Sequence, residues 1–223
     1  MTGLFVTGTD TNVGKTVVAC ALARGWRRRG RRVAVMKPVE TGVAGVPEDA
    51  VRLRTAAGDP APLDDVCPWR FAAPLAPAMA ARAAGAAPVD VAALVAHARR
   101  RAADADVLLV EGAGGLLVPV AGTATWADVA SALGLPLLIV AANRLGTINH
   151  AALTARVAAA AGLRIRGFVL SHPTPERDPS AGSNAAAIEE LTRLRCLGVV
   201  PWVADGAAAD DVFDWEALEG RAG

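Results

Sequence analysis

The chain has 223 residues, 53% of them hydrophobic, and a formal net charge of +1 from 23 Lys+Arg against 22 Asp+Glu. That length and apolar content fit one α/β domain with a sizeable core, and the near-zero charge supplies no field for nucleic acid or an anionic membrane. Apolar runs such as residues 135–142 are too short to span a bilayer, and Cys20, Cys67 and Cys196 lack metal or disulfide spacing, so reduced thiols in the cytoplasm are expected.

Met1 and Thr2 lead directly into a first apolar run, which leaves no length for a signal peptide. The run breaks at Gly8, crosses a polar loop to Gly14-Lys15-Thr16, and continues as an apolar helix from Val17. A strand, a loop and a helix in this order turn backbone N–H groups around phosphate oxygens at a helix N-terminus. Lys15 would reach the β- and γ-phosphates, and the Thr16 hydroxyl would hold Mg²⁺. Five residues separate Gly8 from Gly14, one more than the usual pattern has. Only Lys15 and Lys37 are lysines, and the other 21 cations are arginine. A compact ammonium fits a crowded phosphate cluster where a planar fork does not, so both lysines are candidates for the chemistry.

The basic run at residues 27–32 complements the end of the first helix, and residues 32–36 form a second strand. It opens into Lys37-Pro38-Val39-Glu40-Thr41-Gly42, a loop at the strand edge where open α/β sheets bind ligands. A helix at residues 48–57 carries Asp49 in its first turn. Residues 58–88 are irregular apart from a helical piece at 77–84, and their length implies a layer packed near the site. Residues 89–103 are helical, with Val91, Leu94, Val95 and Ala98 on one face.

After Asp106, the continuous apolar run 107–110 reads as a strand buried on both faces. It ends in Glu111-Gly112-Ala113-Gly114-Gly115, where phosphate-loop enzymes place a metal-holding acid. A solvent-facing acid at a strand end is the bland alternative. A helix at 126–133, a strand at 137–142, a polar loop at 143–150 and a helix at 151–161 follow. A strand at 164–170, a Pro-rich loop to 183, a helix at 185–194 and a strand at 196–200 complete the alternation, ending at Pro201-Trp202. The tail from 204 is weakly patterned, with a short helix near Trp215. Alternating strands and helices predict a doubly wound, mostly parallel sheet. His97, His150 and His172 show no ligand spacing, and neither a nucleophile elbow nor a dinucleotide fingerprint is present.

The phosphate loop with its Gly-Lys-Thr, Lys37-Pro38-Val39, Glu111 through Gly115, Gly146-Thr147-Ile148-Asn149-His150 and Pro201-Trp202 resemble, in that order, the dethiobiotin synthetase family. The resemblance runs from residue 3 to about 205. It implies a phosphate-loop fold and closure of a cyclic urea in biotin synthesis. Carbon dioxide adds to one amine of diaminopelargonate, the carbamate takes the γ-phosphoryl of ATP, and the neighbouring amine expels phosphate. By the same resemblance Lys37, Lys15 and Thr11 are catalytic. Asn12, Val13, Gly14, Lys15, Thr16, Val17, Ser171, Pro201 and Trp202 would bind the nucleotide. Thr41 and the run from Gly112 through Ala113 and Gly114 to Gly115 would line the diamine, and Thr16, Asp49 and Glu111 would hold Mg²⁺. The substrate carboxylate would sit on N–H groups of Gly146, Thr147, Ile148 and Asn149 from a second subunit, which implies a homodimer.

Two departures stand out: Asn12 replaces a family acid, and Ser171-His172-Pro173 stands where some members place Asn-Asp at the adenine. The base pocket is therefore expected to be open to other nucleoside triphosphates. Two other readings share the loop. A cobyrinate-type amidating synthetase usually appends an amidotransferase domain, for which 223 residues leave no space. A partition-type nucleotide switch carries an additional early lysine, where this chain has Gly8, Thr9 and Asp10.

Overall fold

A computed structural model of the chain describes residues 3–203 and 211–219. It begins with β1 (Gly3–Gly8), the phosphate loop and α1 (Lys15–Arg28). Next come β2 (Val33–Met36), a short β3 (Val39–Thr41), α2 (Glu48–Ala57), α3 (Leu63–Val66), β4 (Trp69–Phe71), α4 (Pro77–Ala83) and α5 (Val91–Ala103). After β5 (Val107–Gly115) a hairpin of β6 (Pro119–Ala121) and β7 (Ala124–Thr125) leads into α6 (Trp126–Leu133) and β8 (Leu137–Ala142). The chain continues through α7 (Thr147–Ala160), β9 (Ile165–Ser171), α8 (Asn184–Thr192), β10 (Cys196–Val200) and α9 (Trp215–Glu219).

Six of these strands form one parallel sheet in the order β10-β9-β8-β1-β5-β2. The chain leaves β1 for the edge at β2, returns through β5, and crosses to the other side of β1 at β8. That reversal makes β1 the switch point, and the carboxyl ends of β1, β5 and β2 open on one crevice, where ligands bind in such sheets. The period-2 alternation of strand side chains places Leu4, Val6 and Leu109 in one core with Leu22 and Leu53 of the helices. It places Phe5, Leu108 and Val110 in the opposite core, with Leu94 and the fully buried Trp126. Each such side chain is worth about 1.5–3 kcal/mol of burial, and both faces are consumed, as the uninterrupted apolar runs of β5 and β8 require.

The outer edge of β2 is occupied by side chains and a neighbouring carbonyl. Asp59 accepts from Val35 N at 3.0 Å, Arg101 Nη2 reaches the Val35 carbonyl at 3.4 Å, and Lys37 N donates to the Val66 carbonyl at 2.9 Å. Asp59 and Arg101 are themselves ion-paired. At the opposite edge, Asp214 N donates to the Leu197 carbonyl at 2.9 Å and Phe213 bridges Gly198.

Two expectations are corrected. Residues 147–150 are the first turn of α7 rather than loop, because Gly146 takes φ +91° and buries Thr147 directly behind it. Residues 58–88 hold α3, β4 and α4, and Val39–Thr41 pairs in parallel with Trp69–Phe71; elements of three or four residues are too short to show a period. The short helix near Trp215 is α9, while the rest of the tail, 204–210 and 220–223, lies outside the described residues. No helix among the described residues is long and apolar enough to cross a membrane.

Candidate active site

The loop between β1 and α1 is folded by two left-handed residues, Asn12 at φ +57° and Gly14 at φ +85°. Gly14 caps α1, and a Cβ there would lie 2.6 Å from Ser171 Oγ. The Ser171 hydroxyl, at the carboxyl end of β9, donates to the Val13 carbonyl at 2.5 Å. Lys15 folds back across Gly8 and donates from Nζ to the Asp10 carbonyl at 2.9 Å. Its side chain is buried at 7% exposure. Burial, and then the Lys37 ammonium nearby, lower its pKa to about 8.

Lys37, where β2 ends, is 4% exposed and Glu111, midway along β5, is fully buried. Lys37 Nζ donates to Glu111 Oε1 at 2.5 Å, and the Thr16 hydroxyl donates to the same oxygen at 2.8 Å. Asp49 Oδ2 completes the group, 3.4 Å from Lys37 Nζ. Burial works against the Lys37 charge, but Glu111 and Asp49 overcome it, and its pKa is raised above the ordinary lysine value. Asp49 is held by Glu40 of β3, whose carboxylate accepts from Asp49 N at 3.1 Å and Ala50 N at 3.0 Å. Those two N–H groups belong to the first turn of α2, which has no side-chain cap of its own. Glu40 is itself pushed up in pKa by burial.

Glu111 Oε2 is buried and has no hydrogen-bond partner, a costly state for a carboxylate oxygen that no cation or donor meets. Among the described residues no three His, Cys, Asp or Glu side chains form a metal cage. The donors at hand are a hydroxyl and two carboxylates, a hard-oxygen set that suits a Mg²⁺ ion keeping waters and phosphate oxygens for its remaining positions.

Between Glu111 and Gly115, β5 advances four residues while β1 advances two, from Val6 to Gly8. The extra length bulges Ala113 and Gly114 into the crevice, and Trp126 Nε1 fixes it by donating to the Ala113 carbonyl at 2.8 Å. The result is a cavity of about 830 Å³ walled by Thr11, Asn12, Gly14, Lys15, Thr16 and Val17 of the loop and helix. Lys37, Thr41, Asp49, Glu111, Ala113 and Gly114 face it, and Pro74 through Pro77 close one side. A second cavity of about 340 Å³ adjoins it, bounded by Ser171, His172, Pro173, Pro201 and Trp202.

Among solved structures, chloroplast FtsY from Physcomitrella patens has a TM-score of 0.57 at 17% identity, covering 98% of this chain and 63% of that one. The likeness extends to the fold alone. An AAA-domain family profile matches residues 2–209. Over 206 residues the chain is 54% identical to the protein named ATP-dependent dethiobiotin synthetase BioD of Anaeromyxobacter dehalogenans (strain 2CP-C), covering 92% of each. The protein of that name from Bacillus thuringiensis (strain Al Hakam) is 43% identical over 91% of this chain and 84% of its own. The chain belongs to the dethiobiotin synthetase family.

Most residues nominated by the likeness to dethiobiotin synthetases meet at the two cavities, but several do not. Gly112 is packed between Phe5 and Trp126, where a Cβ would come 3.2 Å from the Phe5 ring, so its part is core packing rather than lining. Gly115 pairs with Gly8 across the sheet, behind the cavity wall. Ser171 does border the smaller cavity, but its hydroxyl is turned to the Val13 carbonyl of the phosphate loop. Gly146, Thr147, Ile148 and Asn149 open α7 at the end of β8, outside both cavities of this chain. Beyond the nominated set, Glu40 and Arg52 line the larger cavity, and Arg52 the smaller as well. The three-residue spacing from Asp49 is the signal in the sequence that finds Arg52.

Proposed function

We infer that this chain is an ATP-dependent dethiobiotin synthetase that closes the ureido ring from diaminopelargonate and carbon dioxide in one phosphate-loop domain. The observation that carries the reading is the convergence of its two lysines, both buried, on one cavity beside the Gly14-Lys15-Thr16 turn. Relatives at 43–54% identity that bear this enzyme's name favour it over an amidating synthetase or a partition-type switch.

Phosphoryl transfer needs positioning and charge neutralisation more than covalent help. One substrate amine adds to carbon dioxide and loses a proton, giving a carbamate. A carbamate oxygen attacks the γ-phosphorus, and the bond from that phosphorus to the bridging oxygen of ADP breaks. The second amine then attacks the carbamoyl carbon, the C–O bond to phosphate breaks, and the ammonium proton leaves as the ring closes. Lys37 and Lys15 present positive charge where negative charge develops. Glu111 and Asp49 keep Lys37 protonated and aimed, and Thr11, Thr41, Ala113 and Gly114 position the diamine. Thr16, Asp49 and Glu111 would hold Mg²⁺, whose charge would offset that of the phosphates. ATP turnover measured with diamine and bicarbonate supplied singly and together tests the reading: one ADP should form per ureido product and only with both present. Hydrolysis indifferent to the diamine would make the chain a nucleotide switch.

The metal assignment has its own consequence. Glu111→Gln keeps the size of the side chain and removes its charge, so turnover at limiting Mg²⁺ should fall several-fold and be partly restored by excess. An unchanged Mg²⁺ titration would leave Glu111 with only the task of holding Lys37.

Base selectivity is expected to be weak. The Ser171 hydroxyl is committed to Val13, the His172 N–H to the Val200 carbonyl at 2.9 Å, and Pro173 and Pro201 have no N–H to offer. A missing pair of base contacts is worth about 1–3 kcal/mol. CTP, GTP and UTP should therefore support turnover within about an order of magnitude of ATP in kcat/KM. A preference for ATP above roughly a thousandfold would show that groups such as the backbone at Trp202 and Val203 read adenine unaided.

The homodimer belongs to the same proposal. Leu145 is 82% exposed just before α7 and Leu153 is 54% exposed on it, apolar surface beside the first-turn N–H groups that the carboxylate of a substrate bound to a second copy would meet. Cytoplasmic residence is supported by three cysteines without disulfides; burial pushes the Cys20 and Cys67 thiols up to about 12, which makes them inert.

A further inference from the structure

We propose that Arg52 is a nucleotide-binding residue that grips the α-phosphate from the wall opposite the phosphate loop. The proposal rests on the nucleotide site inferred above and adds to it a contact on α2. Residues three apart on a helix share a face, and the direction of this face is fixed by Asp49, whose carboxylate lies 3.4 Å from Lys37 Nζ. One turn further along, Arg52 looks onto the same crevice, while Ala50, Leu53, Ala56 and Ala57 turn into the core.

Its place along the crevice identifies the group it meets. The larger cavity holds Lys15 and Thr16, where β- and γ-phosphates belong, and the smaller holds Pro201 and Trp202, where the base belongs. Gly14, Val17, Arg52 and Pro173 border both. A nucleotide laid across the two cavities has its α-phosphate and ribose at that junction, and of the four residues there only Arg52 carries a charge.

The guanidinium is also uncommitted. Arg32, Arg70, Arg101 and Arg195 are each paired with an aspartate. Arg52 makes no hydrogen bond or ion pair among the described residues, although Glu48 stands four residues before it at a spacing that favours a helix ion pair. A planar fork with five donors is suited to two oxygens of one phosphate. Such a grip is indifferent to the base, which suits a pocket poor in base-reading groups.

The test uses Arg52→Gln in the full chain, with nucleotide dissociation constants measured calorimetrically for ATP, ADP, AMP and CDP. Arg52 is exposed, so the variant should keep the melting temperature of the parent. The expected result is a rise in Kd of roughly tenfold, similar for all four ligands because all four carry an α-phosphate. Arg52→Lys, which keeps charge without the fork, should fall between parent and Gln variant. A loss confined to ATP would place the contact at the γ-phosphate, and a loss differing between ADP and CDP would make it a base contact; either overturns the proposal. Unchanged affinity for all four would leave Arg52 a solvated surface residue. Should the parent chain itself bind none of them, the nucleotide site fails first and the proposal falls with it.

Discussion

Replacing Lys37 by arginine lowers kcat by roughly a hundredfold or more, the usual cost of losing a placed transition-state donor. Nucleotide affinity should stay within a few-fold. The charge survives the substitution, so the experiment asks whether position and shape matter. The native ammonium fits a slot with 4% exposure, 2.5 Å from Glu111 Oε1 and 3.4 Å from Asp49 Oδ2. A guanidinium is longer and planar, and it must spread its donors where only those two carboxylates and the Thr16 hydroxyl are at hand. It will either push Asp49 aside or extend into the cavity where, in the proposed mechanism, carbamate and γ-phosphate would meet. The affinity stays because Gly14, Lys15 and Thr16 are untouched, and a loss in kcat without a matching change in ADP binding marks an interaction made in the transition state. Lys37→Gln is the less informative variant, since it strands the buried Glu111 charge and is expected to cost stability too. Near-normal kcat in the arginine variant would take Lys37 out of the chemistry.

A second large effect is expected at Gly14. Gly14→Ala should weaken ATP binding by roughly a hundredfold, from two separable causes. At φ +85° an alanine is strained by about 1–2 kcal/mol. Its Cβ would also stand 2.6 Å from Ser171 Oγ and 3.2 Å from Ser171 Cβ. The serine cannot swing away without giving up its bond to the Val13 carbonyl, which orders the loop from the other side. The loop would relax by rotating the N–H groups that should meet the phosphates. Pairing Gly14→Ala with Ser171→Gly removes the steric part and leaves the backbone part, so the double variant should recover a portion of the loss, and the cycle measures the coupling. Wild-type affinity in Gly14→Ala alone would mean that the left-handed turn is not needed to cradle phosphate.

The parts of the fold legible in the sequence are those written in long apolar runs. Strands β8 and β10 and helix α6 lie where the run lengths and punctuation put them, because a strand buried on both faces admits few polar letters, whereas β5 continues past its apolar run through Glu111 to Gly115, beyond the glycines expected to end it. The site was legible where chemistry restricts residue type, as at Lys15, Thr16, Lys37 and Glu111. It was opaque where backbone geometry decides. Gly112 and Gly114 look alike as letters, but the bulge in β5 sends Gly114 to the cavity and Gly112 into the core. Ser171 reads as a base contact until β9 is seen to bring it under Val13. Glu40 lies in the Lys37–Gly42 stretch without a role that its spacing shows, because its hold on Asp49 depends on β3 and α2 being neighbours in space across nine residues of chain. Long-range pairings of that kind leave no trace in local periodicity.

The finished edges of the sheet bear on how copies of this chain can meet. Unpaired backbone groups on an outer strand invite another strand to join. At Val35 and Lys37 on one flank, and at Leu197 on the other, those groups already have partners within the chain. Lengthening the sheet at those positions would break these bonds, so the proposed second subunit is expected to meet this chain through helices and loops, where Leu145 and Leu153 lie exposed. The same closure shields the folded chain from strand-by-strand stacking with its neighbours in a concentrated solution. The breadth of the sheet is thus set from outside it, by an acid and a base on adjoining segments and by a strip of chain around Phe213.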